Sequence, residues 1–102
     1  MHTTPLSIIT IIAEPVLEDR LVHDLRRLGA SGYTISDTRG EGSRGVRASD
    51  PPGVSIRIEV VASAEVTDRI LDLLAAEYFP HYAVIAWLSE ARVVRGEKYL
   101  TR

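Results

Sequence analysis

Leu6-Ser7-Ile8-Ile9-Thr10-Ile11-Ile12-Ala13 decides the fold. The run is short and rich in β-branched side chains, which favours a strand over a helix. Side chains alternate across a strand, so Leu6, Ile8, Thr10 and Ile12 point one way, and Ile9 and Ile11 the other. Apolar groups on both faces mark a central strand that is covered on both sides. A chain of 102 residues can hardly cover both faces of its own sheet, which argues for an oligomer.

Working outward, Pro15 and Gly29 bracket a helix in the usual order, proline inside the start and glycine past the end. Leu17, Leu21, Leu25 and Leu28 form its apolar stripe, with Glu18 and Asp19 in the first turn and Arg26 and Arg27 in the last, as the helix dipole favours. Residues 29–32 make a turn, and 33–38 read as a second strand. Residues 54–61 alternate cleanly, placing Val54, Ile56, Ile58 and Val60 on one face of a third strand. Ser63 is the expected N-cap of a second helix that turns Val66, Ile70, Leu73 and Leu74 inward, and Tyr78-Phe79-Pro80 stops it. Residues 83–89 read as a fourth strand, 91–95 as a short extra one, and 96–102 as a polar tail.

The order is therefore βαββαβ, the pattern of an α+β ferredoxin-like domain with a four-stranded antiparallel sheet. Strands one and three are its central pair, and both helices lie on one face. The other face, expected to expose Ile9, Ile11, Val61 and Trp87, needs a partner. A cyclic homo-oligomer that buries three such faces together is the simplest solution.

Composition narrows the function. Hydrophobic content of 45% and charged content of 25% are those of a soluble domain. A net charge of -2 gives no general attraction to nucleic acid. The absence of cysteine excludes disulfides, thiol catalysis and thiolate metal sites. No signal peptide or membrane-spanning run is present, so a cytoplasmic domain is expected. The histidines show no metal-ligand spacing, and Ser43 has no histidine or lysine near it in sequence, so neither a metal nor a catalytic group is expected.

One stretch carries chemistry: Arg39-Gly40-Glu41-Gly42-Ser43-Arg44-Gly45-Val46-Arg47, followed by Ala48-Ser49-Asp50-Pro51-Pro52-Gly53. It has no apolar period and so no face to bury. Glycines allow backbone N–H groups to turn toward an anion, and guanidinium forks match phosphate oxygens in pairs. Residues 40–45 formally satisfy G-x-G-x-x-G, but that fingerprint must open a helix, and here two prolines follow. A charged surface loop is usually just solvated; the glycine spacing and the Arg44-x-x-Arg47 pair favour anion binding over that bland alternative.

Gly32-Tyr33-Thr34, the 39–47 loop, Tyr78-Phe79 and Tyr82-Ala83-Val84-Ile85 together resemble the PII-like signalling proteins, in particular the carbon-regulatory, SbtB-like branch. The resemblance implies one PII-like domain over 1–102, assembled as a homotrimer with nucleotides in the clefts between subunits, and identifies 39–53 as the T-loop. It places Gly42, Ser43, Arg44 and Arg47 on the phosphate, and Gly32, Tyr33 and Thr34 on the base, opposite the neighbour's Val84, Ile85 and Ala86. Glu59, with Arg57, is expected to reach the ribose or base, and Arg39, Glu41 and Asp50 to lie on the partner-binding part of the loop. The implied ligands are AMP, ADP, ATP and cyclic AMP, and a related carboxysome-associated branch adds bicarbonate to ADP or AMP. The implied target is a transporter of bicarbonate or another anion, which would recruit the protein to the inner membrane. Nitrogen-type relatives carry a glycine-rich segment with a lysine before the fourth strand, absent from 82–85 here, and some SbtB proteins end in a cysteine-paired hairpin, whereas this chain has no cysteine. A nucleotide hydrolase and a purely structural trimer, similar in fold to copper-tolerance proteins, are the alternatives.

Overall fold

The two β-branched runs meet at the centre of a four-stranded antiparallel sheet in the order β2-β3-β1-β4. The structure is a computed structural model, and it describes residues 1–40 and 53–100. The strands are β1 (Thr3–Ala13), β2 (Thr34–Arg39), β3 (Val54–Ala62) and β4 (Ile85–Val94); the helices are α1 (Glu18–Arg27) and α2 (Ala64–Leu73). This is the expected βαββαβ ferredoxin-like order, with β1 and β3 as the central pair.

The helix boundaries follow from local chemistry. Pro15 opens a 3-10 turn, Pro15–Leu17, that leads into α1. Gly29 closes the helix at φ 104°, a conformation that suits a residue without Cβ. The Ser63 hydroxyl accepts from the Val66 N–H at the start of α2, and a π-turn over Leu74–Tyr78 ends that helix before Pro80. Leu17, Leu21 and Leu25 of the first stripe and Val66, Ile70 and Leu74 of the second are buried against Ile56, Ile58 and Val60 of β3.

Register corrects the expected faces of β1. Ile9 pairs with Val60 and Ile11 with Ile58, so both isoleucines lie beneath the helices and are fully buried. The open face instead carries Ile8, Thr10 and Ile12 of β1, with Val61 opposite Ile8 and Trp87 opposite Thr10. Val61 and Trp87 are where the sequence put them. Both faces of β1 are apolar, so alternation separates its two sets of side chains without saying which set meets the helices.

The end of the chain differs too. Residues 83–89 and 91–95 do not form two strands: β4 runs unbroken from Ile85 to Val94. β1 begins at Thr3, so a pairing partner extends to Val94, and Ser89 and Glu90 pair with Ile8 and Ser7 in mid-strand. Beyond β4, Arg95 takes a left-handed conformation, and the segment read as a polar tail starts with a 3-10 turn, Gly96–Tyr99. This turn folds back on β1, where the Thr4 hydroxyl donates to Glu97. Gly96 is buried there, and a Cβ on it would stand 2.7 Å from the Thr4 Cβ. Gly96→Ala should therefore cost about 1–3 kcal/mol through overpacking, read as a lower midpoint in urea unfolding.

Candidate functional site

The sequence-predicted site falls into three parts, which the fold distributes unequally. Gly42, Ser43, Arg44, Arg47, Glu41 and Asp50 lie outside the described residues. The base of their loop is described. Arg39 pairs with Val54, and the Gly40 N–H donates to the Gly53 carbonyl at 3.0 Å, so the loop leaves from a closed β2–β3 ladder. Gly53, at φ 85°, makes the return turn.

The second part sits at the β2 edge. Gly32 and Tyr33 precede β2, and Thr34 begins it, directly opposite Glu59. Thr34 and Glu59 thus share one row of the open face, and the Arg57 guanidinium holds the Glu59 carboxylate at 3.1 Å. Among the described residues, a Cβ added to Gly32 would meet no atom within 4 Å, so space is open beside it. The Tyr33 ring packs on the core, and its hydroxyl accepts from Arg26 Nη2 at 3.1 Å.

The third part sits at the β4 edge. Val84 is buried and belongs to the chain's own core. Ala86 is partly covered, and Ile85, 42% exposed, projects from the open face opposite Ile12. Thr34 and Trp87 occupy the same row of the sheet, separated by Glu59 and Thr10. Three inter-strand steps put the two edges about 14 Å apart, farther than one nucleobase spans. Within one chain the β2 and β4 groups do not come together.

Two structural features escaped the sequence reading. Tyr78, fully buried, donates its hydroxyl to Asp24 Oδ2 at 2.6 Å, and Arg27 approaches the other carboxylate oxygen at 3.4 Å. Burial, reinforced by the hydrogen bond to Asp24, pushes the Tyr78 phenol well above its ordinary value. Arg20 covers the Tyr78 ring at 4.7 Å and donates to the Tyr82 hydroxyl at 2.9 Å, fixing the approach to β4. The signal for the first was a polar residue, Asp24, interrupting the leucine stripe next to Leu25. A shallow groove of about 320 Å³ between Pro5, Ser7, Ala64, Glu90 and Arg92 touches none of the predicted ligand residues. Among the described residues no carboxylate and histidine cluster could hold a metal, and no helix is long and apolar enough to cross a membrane.

Fold and site together define a class: a ferredoxin-like subunit with a long connection between β2 and β3 and prospective ligand groups on both sheet edges. The family model for nitrogen regulatory protein P-II matches residues 6–98, and the chain belongs to that family. A candidate PII-like signalling protein from Thermus thermophilus is 57% identical; the match covers 97% of this chain and 99% of that one, with a TM-score of 0.84. CPII from Thiomonas intermedia, solved with ADP, AMP and acetate, is 23% identical over 97% of this chain and 98% of its own, at a TM-score of 0.83. The same protein solved with ADP and bicarbonate is 24% identical over 95% and 96%, at 0.80. At that identity the CPII structures show a shared fold.

Proposed function

We propose that the protein is a non-enzymatic PII-like sensor of the carbon-regulatory branch, binding an adenine nucleotide in the clefts of a homotrimer. The observation that carries this reading is the position of the residues expected to bind the base, which lie toward opposite edges of the sheet. A site split in this way is completed when the β2 edge of one subunit meets the β4 edge of the next. Gly32, the Tyr33 backbone, Thr34 and Glu59 then face the neighbour's Ile85 and Ala86, with the Tyr33 ring turned back onto its own core, while the backbone of Val84 sets the turn into that strand. Gly42, Ser43, Arg44 and Arg47 close on the phosphate from the loop that the Gly40–Gly53 pair anchors.

The ligands bound by CPII support adenine nucleotides as the class and make bicarbonate a candidate co-ligand. Nucleotide occupancy would select one conformation of the 39–53 loop, and that conformation presents or withdraws Arg39, Glu41 and Asp50 to a partner. The partner chemistry that fits is the cytoplasmic face of an anion transporter, with bicarbonate the leading cargo; binding to it would bring the protein to the inner membrane.

A ligand at about 100 times its dissociation constant stabilises the bound state by roughly 2.7 kcal/mol. A thermal-shift panel of AMP, ADP, ATP and cyclic AMP, each with and without bicarbonate, should therefore raise the melting temperature for at least one. Arg44→Ala combined with Arg47→Ala should abolish the rise while leaving the unliganded melting temperature unchanged. No response from any nucleotide refutes the sensor, and a normal response in the double variant refutes the loop assignment. Trimers without a response would point to the structural alternative, and product formed from ATP with a divalent metal to the hydrolase.

A further inference from the structure

We propose that Arg26 is a positioning residue for the base half-site: it holds the Tyr33 ring clear of the open space beside Gly32, so that a planar purine can enter. This rests on the nucleotide-binding reading above. Arg26 sits in the last turn of α1, exposed, and reaches across the α1–β2 turn to Tyr33. Its Nη2 donates to the Tyr33 hydroxyl at 3.1 Å, and its guanidinium carbon lies 5.7 Å from the ring centroid. One cation therefore fixes both the tip of the ring and the direction of its face.

The turn between them is itself constrained. The Ala30 N–H donates to the Leu25 carbonyl and Gly29 takes its left-handed conformation, which set the direction in which the chain leaves α1. The remaining freedom at Tyr33 is rotation about χ1 among three staggered wells. With the hydroxyl pinned, the ring stays on the helix side, against the core cluster. With the pin removed, the ring gains wells that swing it toward Gly32, where no described atom lies within 4 Å of an added Cβ. A tyrosine ring and a purine cannot share that space. If the three wells become equally populated, about one third of molecules remain competent and apparent affinity falls about threefold.

The test is calorimetric titration of the full chain with AMP, comparing wild type, Arg26→Ala, Arg26→Lys, Tyr33→Phe and the Arg26→Ala/Tyr33→Phe pair. Both Arg26→Ala and Tyr33→Phe break the same hydrogen bond, so each should weaken binding about threefold and the pair should be no weaker than either. Arg26→Lys, which keeps a donor and a cation, should recover part of the loss. Unliganded melting temperatures should stay within a degree or so of wild type, because an exposed hydrogen bond adds little to stability. Wild-type affinity in Arg26→Ala, or losses that multiply in the pair, overturn the positioning role alone. If wild type binds none of AMP, ADP, ATP and cyclic AMP, the nucleotide reading fails and this proposal falls with it.

Discussion

Tyr78→Ala is expected to lose about 3–5 kcal/mol of unfolding free energy, a large part of the roughly 5–15 kcal/mol that a domain of this kind has. The ring is fully buried, so truncation leaves a cavity beneath the end of α2. It also removes the donor that faces Asp24, a carboxylate buried within α1, at 2.6 Å. Tyr78→Phe separates these two terms. It keeps the ring, loses only the hydroxyl, and should cost about 1–3 kcal/mol for the acceptor left without its partner. Linkage adds a pH signature. The folded state raises the phenol pKa above the unfolded value of 10.0, so it holds that proton more tightly than the unfolded chain does. The resulting stability is fully present below about pH 10 and is lost as pH climbs through the higher folded value. Wild type should therefore lose stability more steeply than Tyr78→Phe in urea titrations between about pH 9 and about pH 11. Parallel slopes for the two proteins would show that neither burial nor the Asp24 hydrogen bond raises the phenol pKa in the folded state.

That pair also shows where sequence reasoning stops. Within one helix or strand, spacing was enough: Leu17, Leu21 and Leu25 are buried as their period demands, and Ile56, Ile58 and Val60 share the face their alternation requires. Ser63, Pro15 and Gly29 marked helix ends because each has a local physical reason to be there. Contacts between distant segments had no such signal. Asp24 and Tyr78 are 54 residues apart, and only the packing of α1 beside the end of α2 brings them to a hydrogen bond. The same limit explains the error at β1. Its alternation is symmetric in hydrophobicity, so Ile9 and Ile8 were interchangeable until pairing with Val60 and Val61 told them apart. For the site, composition suggested an anion trap in the arginine loop, whose central residues lie outside the described ones, while Thr34 and Glu59 lie opposite each other. Arg26 was not legible, since nothing in its spacing from Tyr33 says that a side chain will cross the turn.

Reassigning the β1 faces changes which substitution should dismantle the assembly. A glutamate at Ile9 would go into the core and unfold the chain, whereas Ile8→Glu goes onto the open face. In a single chain its carboxylate can reach water, because Ile8 is only partly covered and the sheet side it shares with Val61 and Ser89 is open. Among the described residues no cation stands in that row to pair with it, unlike the Ile12 row, which includes Arg57. In a trimer that packs the open faces together the carboxylate loses its water. The penalty is several kcal/mol per buried ion, and threefold symmetry repeats it in every subunit, giving on the order of 10 kcal/mol per assembly. Ile8→Glu should therefore elute at the mass of a single chain and keep its far-ultraviolet circular dichroism. Trp87, the one tryptophan of the chain and 45% exposed on that face, supplies a second readout. Its emission should shift to longer wavelength as the neighbouring subunits leave. Any nucleotide-induced rise in melting temperature should disappear with the trimer, since the β2 and β4 groups proposed to share a ligand are then about 14 Å apart on one sheet and no neighbour completes either half. Val61→Glu, from the paired position on β3, should do the same. A folded Ile8→Glu protein that stays trimeric would remove the open face from the interface and require the sheet edges alone to hold the subunits together.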